Sequence, residues 1–202
     1  MKKFNELANR EIVEKTMKAL EINGIKSYFV ENREKAKEKI LALLPAGAEV
    51  MDMSSETLRE IGIPEIVNSG KYNSVKEKLK GMKRETQGRE MQRIGVAPEF
   101  AIGSVHAVTE DGKLMIASLT GSQLSAYAYG ADHIIFVIGT QKIVKDMDEA
   151  MKRINEYVFP LENERAKKVY GMESSINKIL LISKEFKKDR IHIIFVNEKL
   201  GF

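Results

Sequence analysis

The sequence predicts an α/β fold, with a mainly parallel sheet flanked by helices and one antiparallel hairpin. Apolar runs of strand length alternate with segments of helical periodicity through most of the chain, which is typical of a parallel sheet covered by helices on both sides. Residues 133–139 are apolar without alternation, as in a central strand buried on both faces. Asp111 and Gly112 separate two strand-like runs, which is a strong hairpin signal.

The predicted helices follow from apolar spacing and from residues that cap helix ends. The first runs from about Phe4 to Gly24. Ser74 to Glu77 and Thr120 to Gln123 have the capping-box pattern, in which two side chains bond the first turn reciprocally. The remaining helices are expected over about 32–44, 54–61, 74–93, 120–129 and 146–157, with Pro160 interrupting before a shorter helix to Val169.

The predicted strands are short and bounded by turn residues. They cover 25–30, 48–51, 100–103, 105–110, 113–118, 133–139, 179–182 and 191–196. A chain of this length usually forms one domain. We therefore predict an α/β domain over residues 23–202, preceded by a helical extension over residues 1–22.

Composition excludes several classes of protein. The chain has no cysteine, so it offers no disulfide, no thiolate metal site and no iron–sulfur ligation. The longest uninterrupted apolar run is Ile134–Ile138, far too short to span a membrane, and the first residues do not form a secretory leader. Positive and negative charges are interspersed rather than clustered, which argues against nucleic-acid binding. We expect a cytoplasmic protein with no membrane or nucleic-acid partner.

Several segments in the second half of the chain resemble the LUD (lactate utilisation) family, in the order found there. They are Ala107–Gly112, Gly121–Leu124, Ala126–Asp132, Val137–Val144, Pro160–Arg165, Asn177–Lys178 and Leu200–Phe202. Together they cover about half of the chain, and the ordered set is more specific than any one segment. Asp52 and Met53 stand where relatives often carry glycines.

This resemblance implies a fold similar to that of ribose-phosphate isomerases, glucosamine-phosphate deaminases and CoA transferases. It also implies a non-redox component of lactate or related carboxylate utilisation, which binds a small anionic metabolite or an iron–sulfur redox subunit. Two alternatives stay open. One is a stand-alone enzyme acting on CoA-linked or phosphorylated substrates, and the other is a homo-oligomer assembled through the first helix. Whether the protein is an enzyme is therefore undecided from the sequence.

Glu110 is the candidate catalytic residue. The Thr109–Gly112 turn resembles the turn of CoA transferases that presents a nucleophilic glutamate, and a carboxylate there could attack an acyl-CoA. The alternative is that Glu110 only precedes a hairpin turn.

Hydroxyl-rich turns supply the candidate ligand-binding residues. Backbone N–H groups at strand-to-helix turns bind anions, although the same side chains also cap helices. These candidates are Ser54, Ser55, Thr57, Thr120, Gly121, Ser122 and Gln123.

The loop after strand 133–139 is a third candidate region. Ligands of open α/β sheets collect at the carboxyl ends of strands, so we include Gly139, Gln141 and Lys142, whose ammonium could contact a carboxylate or phosphate. The three histidines have no metal-ligand spacing, and we expect no metal or cofactor. The functional prediction as a whole requires the turns near residues 110, 121 and 141 to meet in one cleft.

Overall fold

The computed structural model describes residues 4–202; residues 1–3, where the predicted extension begins, lie outside the described part. The helices are α1 (Arg10–Ile22), α2 (Arg33–Leu43), α3 (Glu56–Ile61), α4 (Ile63–Ile66), α5 (Val75–Lys80), α6 (Arg84–Val96), α7 (Ser122–Ser125), α8 (Met147–Arg153) and α9 (Phe159–Tyr170). The strands are β1 (Lys26–Val30), β2 (Glu49–Asp52), β3 (Asn73–Ser74), β4 (Phe100–Gly103), β5 (Ala107–Thr109), β6 (Leu114–Ser118), β7 (His133–Gly139), β8 (Ile143–Val144), β9 (Lys178–Ile182) and β10 (Ile191–Val196).

The main sheet is parallel throughout, and its strand order is β1-β10-β7-β4-β2-β3. The predicted α/β class with a mainly parallel sheet is therefore confirmed. The hairpin also forms, but its strands leave the main sheet. They belong to a second, four-stranded sheet of order β8-β5-β6-β9, in which β6 pairs antiparallel with both neighbours.

Four layers result from the way the two sheets pack. Ile134, Phe136 and Ile138 of β7 face one way and share a core with Leu114 and Ile116 of the second sheet, to which α1 also contributes. Alternate β7 residues face the other way, against α2 and α3. On its outer side the second sheet packs against α8. Because β7 is covered on both faces, its continuous apolar pattern is accounted for.

Two predicted helices begin or end at other residues than expected. The first begins at Arg10 rather than near Phe4, because Asn9 accepts the Ile12 N–H and caps it. The boundary at residue 22 stays a prediction. The helix expected over 74–93 is two helices, with Gly81 ending the first. Its start was correct, since the Ser74 hydroxyl accepts the Glu77 N–H.

The helix that contains Pro160 is continuous from Met147 to Tyr170, contrary to the predicted interruption. A π turn over Ile154–Val158 joins α8 to α9, and the flanking backbone stays helical. Proline removes one backbone donor and crowds the preceding turn. A wider π turn just before it absorbs that defect without breaking the helix. Among the described residues, none of the helices is both long and apolar enough to cross a bilayer.

Candidate functional site

A cavity of about 390 Å³ opens between the two sheets. Its walls include the segments that follow β2 and β4, the turn after β6, one side of α9 and the chain end after β10. The parallel strands β2, β4, β7 and β10 direct their carboxyl ends to the same edge, which is where ligands of open α/β sheets bind. The volume is that of a site for a small metabolite.

Lys142 lies on the wall of this cavity and is buried, with 3% of its surface exposed. A short 3₁₀ turn, Thr140–Lys142, follows β7 and places the side chain there. Its Nζ donates to the hydroxyls of Thr57 and Ser104, at 3.1 Å each. In the described part of the chain, no carboxylate lies within salt-bridge distance of this nitrogen. Burial, reinforced by the charge of Arg153, lowers the pKa of Lys142 to about 7, while Glu60 opposes the shift.

Thr57 joins the lysine to the end of the chain. Its hydroxyl donates to the carbonyl oxygen of Leu200 at 3.2 Å and therefore accepts from Lys142. Gly201 has φ +58°, and a Cβ there would lie 2.6 Å from Thr57 Oγ1. This close approach brings Phe202 to the cavity wall.

His106 supplies a hydrogen-bond donor to the same cavity. Its Nδ1 accepts the backbone N–H of Ala117 at 3.0 Å, so the neutral ring carries its proton on Nε2. Burial, with smaller contributions from Lys142 and Arg153, lowers the pKa of His106 to about 3. The imidazole is consequently uncharged near neutral pH and acts as a donor rather than as a base.

Arg153 is fully buried behind this histidine. Its Nη1 donates to the carbonyl oxygen of His106 at 2.5 Å, and its guanidinium lies 5.2 Å from the centre of the Tyr157 ring. Burial lowers the pKa of Arg153 to about 10. The arginine thus fixes the backbone at His106 and places a positive charge close enough to affect Lys142.

The turn after β6 lines the opposite wall. The Ser118 hydroxyl accepts the Gly121 N–H at 2.9 Å and donates to Gln123 Oε1 at 3.0 Å, while Thr120 Oγ1 accepts the Ser122 N–H at 3.3 Å. The predicted reciprocal box between Thr120 and Gln123 does not form. Gly121, at φ +85°, starts the helix instead, so Gln123 turns back to Ser118.

Two other cations line the cavity in the described part of the chain, and both are already neutralised. Arg165 contacts Glu162 at 2.6 Å and Glu56 at 3.5 Å. Lys76 contacts the buried Asp52 at 2.7 Å, and burial raises the pKa of that carboxyl although Lys76 opposes the shift. Lys142 differs from both, because its hydrogen-bond partners are uncharged.

The predicted site residues divide into two groups. Seven line the cavity, namely Ser54, Ser55, Thr57, Thr120, Ser122, Gln123 and Lys142. Gly121 shapes the turn without lining the cavity. Gly139 and Gln141 also lie behind the wall, where Gln141 Nε2 donates to the Leu200 carbonyl at 2.9 Å and so holds the chain end.

Glu110 is placed elsewhere. It is not among the cavity-lining residues, and its carboxylate pairs with Lys15 of α1 at 2.8 Å. The turn that contains it packs against the end of α1, where Asn23 donates to the Asp111 and Gly112 carbonyls. The turns near residues 121 and 141 therefore meet at the cavity, whereas the turn near residue 110 does not.

Sequence reasoning missed Ser104, His106, Ser118, Arg165 and Phe202 as cavity residues. Ser104 and His106 interrupt an otherwise apolar stretch between β4 and β5. Polar residues at such points indicate a site, and this is the signal that could have found them. Within residues 4–202, no group of three or more potential ligands is placed to hold a metal ion.

Fold and cavity together define an α/β protein with a cavity at the carboxyl edge of a parallel sheet. The family model for the LUD domain matches residues 13–196, and the chain therefore belongs to the LUD domain family. The family resemblance read from the sequence is confirmed.

A solved structure shares this fold. The crystal structure of a DUF162 family protein from Deinococcus radiodurans is 12% identical, covers 95% of this chain and 100% of its own, and has a TM-score of 0.58. The beta and delta subunits of eIF2B from Chaetomium thermophilum are 11% and 13% identical, with TM-scores of 0.40 and 0.32. They cover 58% and 71% of this chain, and 44% and 57% of their own. No curated protein matches.

Proposed function

We propose that the cavity binds a small carboxylate metabolite with Lys142 as its charge partner, and that the protein is a non-redox component of lactate or related carboxylate utilisation. The observation that carries the binding proposal is the buried Lys142 nitrogen, which has only hydroxyl partners in the described chain. A buried charge without a counter-ion is costly, and an anionic ligand removes that cost.

The neighbouring side chains suit the same ligand. His106 offers an N–H at the wall, and a carboxylate oxygen can accept it. The Ser104 hydroxyl accepts from Lys142 and itself donates to the Val105 carbonyl at 3.4 Å. Arg165 and Lys76 already have carboxylate partners, so they define the walls without competing for the ligand. The non-redox role is supported by the absence of cysteine from the sequence, which leaves electron transfer to an iron–sulfur partner subunit.

The alternative enzyme that uses Glu110 as nucleophile gains no support from this cavity. Glu110 lies outside it and is paired with Lys15. A reaction at Glu110 would need a different site, formed around the second sheet and α1.

Isothermal titration of the purified protein with L-lactate, acetate and inorganic phosphate tests the binding proposal. We expect a carboxylate to bind and Lys142→Met to weaken it about ten- to a hundred-fold, since a hydrogen bond to a charged group contributes about 1.5–3 kcal/mol. Lys184→Met, at an exposed lysine, is the matched control. Equal affinity in wild type and Lys142→Met would overturn the assignment of Lys142, provided that circular dichroism shows both folded.

The cellular role needs its own test. A deletion strain should grow poorly on lactate as carbon source, and the tagged protein should co-purify with an iron–sulfur subunit. Normal lactate oxidation in the deletion strain would reject the role, whatever the cavity binds.

A further inference from the structure

The amine of Lys142 meets the geometric requirements of a covalent carbonyl-binding group. It is buried, it lines a cavity of metabolite size, and its two polar contacts within residues 4–202 are hydroxyls. We infer that Lys142 forms an imine with the carbonyl carbon of a small 2-oxo acid bound in the cavity. This inference rests on the proposed function, which it deepens by naming the ligand class and the bond formed.

The hydrogen bonds of Lys142 suit a neutral amine. An ammonium has three N–H donors, whereas the described chain gives this nitrogen two partners, Thr57 and Ser104. The Thr57 hydroxyl is committed as an acceptor, because its own hydrogen goes to the Leu200 carbonyl. A neutral amine has two N–H groups, one for each of these hydroxyls, and keeps a lone pair for a ligand. A lone pair facing a ligand is what attack on a carbonyl requires.

A second group in the cavity fits the carbonyl oxygen. His106 is neutral, and its Nε2–H is the only proton of the ring that can be donated, because Nδ1 accepts from Ala117. A neutral imidazole donor polarises a carbonyl without adding a positive charge. Its backbone carbonyl is held by Arg153, so the donor is fixed in place before a ligand arrives.

Charge selects the 2-oxo acid among carbonyl compounds. A protonated imine keeps one positive charge on the buried nitrogen, and the described chain places no carboxylate within salt-bridge distance of it. A simple ketone or aldehyde would leave that charge unpaired, which is costly. The carboxylate of a 2-oxo acid is bonded to the very carbon that forms the imine, so the ligand supplies the missing counter-charge itself.

The step balances with the ligand and one proton from solvent. The lone pair of Lys142 Nζ forms a bond to the carbonyl carbon while the carbonyl π pair moves to oxygen. A proton passes from nitrogen to that oxygen to give a carbinolamine. A second proton, taken up from solvent, lets the hydroxyl leave as water as the C=N bond forms, and the product is the protonated imine. The lowered pKa of Lys142, about 7, leaves roughly half of the amine unprotonated at neutral pH.

Reductive trapping tests the inference. The full-length protein is incubated with pyruvate or 2-oxobutyrate, reduced with sodium cyanoborohydride, digested and analysed by mass spectrometry. We expect the reduced adduct on the peptide that contains Lys142. Labelling should be lost in Lys142→Met and in Lys142→Arg, and kept in Lys184→Met. The position of the adduct in wild type is read without any variant, so a variant that misfolds does not weaken the test.

The outcomes separate this inference from the function on which it rests. Titration with L-lactate, which has no carbonyl, reports the carboxylate site alone. If L-lactate and pyruvate bind but no adduct forms at Lys142, the imine is rejected and the proposed function stands. Adducts spread over exposed lysines, or undiminished in Lys142→Met, also reject it. If a 2-oxo acid is trapped at Lys142 while deletion leaves lactate oxidation normal, the imine stands and the lactate role fails.

Discussion

Lys142 Nζ donates to the hydroxyl of Thr57 at 3.1 Å, although 85 residues separate them in the chain. The bond joins the turn after β7 to the start of α3 and closes the wall of the cavity. Because the same hydroxyl donates to Leu200, the lysine, the helix and the chain end form one hydrogen-bonded unit.

Carboxylate binding should weaken as the pH rises above 7. The free protein binds the anion in its protonated Lys142 form, and the pKa of this lysine is lowered to about 7 by burial and by Arg153. A bound anion raises that pKa, so binding takes up a proton above pH 7. Affinity for L-lactate should then fall up to about tenfold per pH unit and stay level below pH 6. His106, with a pKa of about 3, does not titrate in this range.

Titration calorimetry in buffers of different ionisation enthalpy measures both the affinity and the proton uptake. Lys142→Arg is the informative control, because a guanidinium keeps its charge across this range. Its pH profile should be flat. A wild-type profile that is equally flat would show that the charge of Lys142 does not control binding.

Removing the charge of Arg153 should move the midpoint of the profile of L-lactate affinity against pH to higher pH. The charge of Arg153 lowers the pKa of Lys142, so Arg153→Met should raise that pKa. The variant also loses the donor to His106, which should lower the free energy of unfolding by about 1–3 kcal/mol. Lys152→Met, at an exposed position on the same helix, should shift neither property. An unchanged midpoint in Arg153→Met would contradict the electrostatic link.

Replacing Glu110 should leave binding in the cavity unaltered. Glu110→Gln breaks a pair with Lys15, whose side chain is 65% exposed, and such surface pairs contribute about 0–1 kcal/mol. Lys15→Gln breaks the same pair while keeping the carboxylate, and the two variants should have the same thermal stability and ligand affinity. Loss of binding or of any turnover in Glu110→Gln alone would instead favour the enzyme that uses this glutamate.

Gly139 should be intolerant of a side chain. A Cβ there would clash with Gln141 Oε1 and lie 2.5 Å from the Glu198 carbonyl oxygen. Gly139→Ala should therefore cost about 1–3 kcal/mol through overpacking, as measured by urea denaturation. Gly88→Ala is the matched control: it lies within α6 with open space around its Cβ, and should stabilise by about 0.5–1 kcal/mol. Equal urea-denaturation midpoints for Gly139→Ala and Gly88→Ala would contradict the packing argument.

The sequence predicted the class of the fold because the alternation of apolar runs is a local property of the chain. It could not predict that Ala107–Thr109 and Leu114–Ser118 leave the main sheet. A hairpin signal fixes how two strands pair, whereas the choice of sheet depends on packing against distant residues such as Leu180 and Ile182.

Cavity-lining residues were predicted where they follow the ends of strands and were missed where their position depends on how the two sheets pack. Lys142 follows the most apolar strand, so the general rule for α/β sheets located it. At His106 the sequence signal is only a polar residue in an apolar stretch, because the contacts that fix its ring and backbone come from Ala117 and Arg153, 11 and 47 residues away. Arg153 has no distinguishing sequence signal, since its burial depends on how α8 packs against the second sheet.

The π turn at Ile154–Val158 makes the cavity wall tolerant of changes in chain length. A π turn holds one more residue than an α-helical turn. Deleting one residue from the π turn would restore α-helical hydrogen bonding and keep Arg165 on the cavity side. Pro160 would have to be replaced in the same variant, because its ring would otherwise clash with the preceding turn. The same deletion after Pro160 would rotate Arg165 by about 100° around the helix axis, because each α-helical residue turns by that angle. A one-residue deletion in this helix should therefore be accepted at the π turn and rejected beyond it.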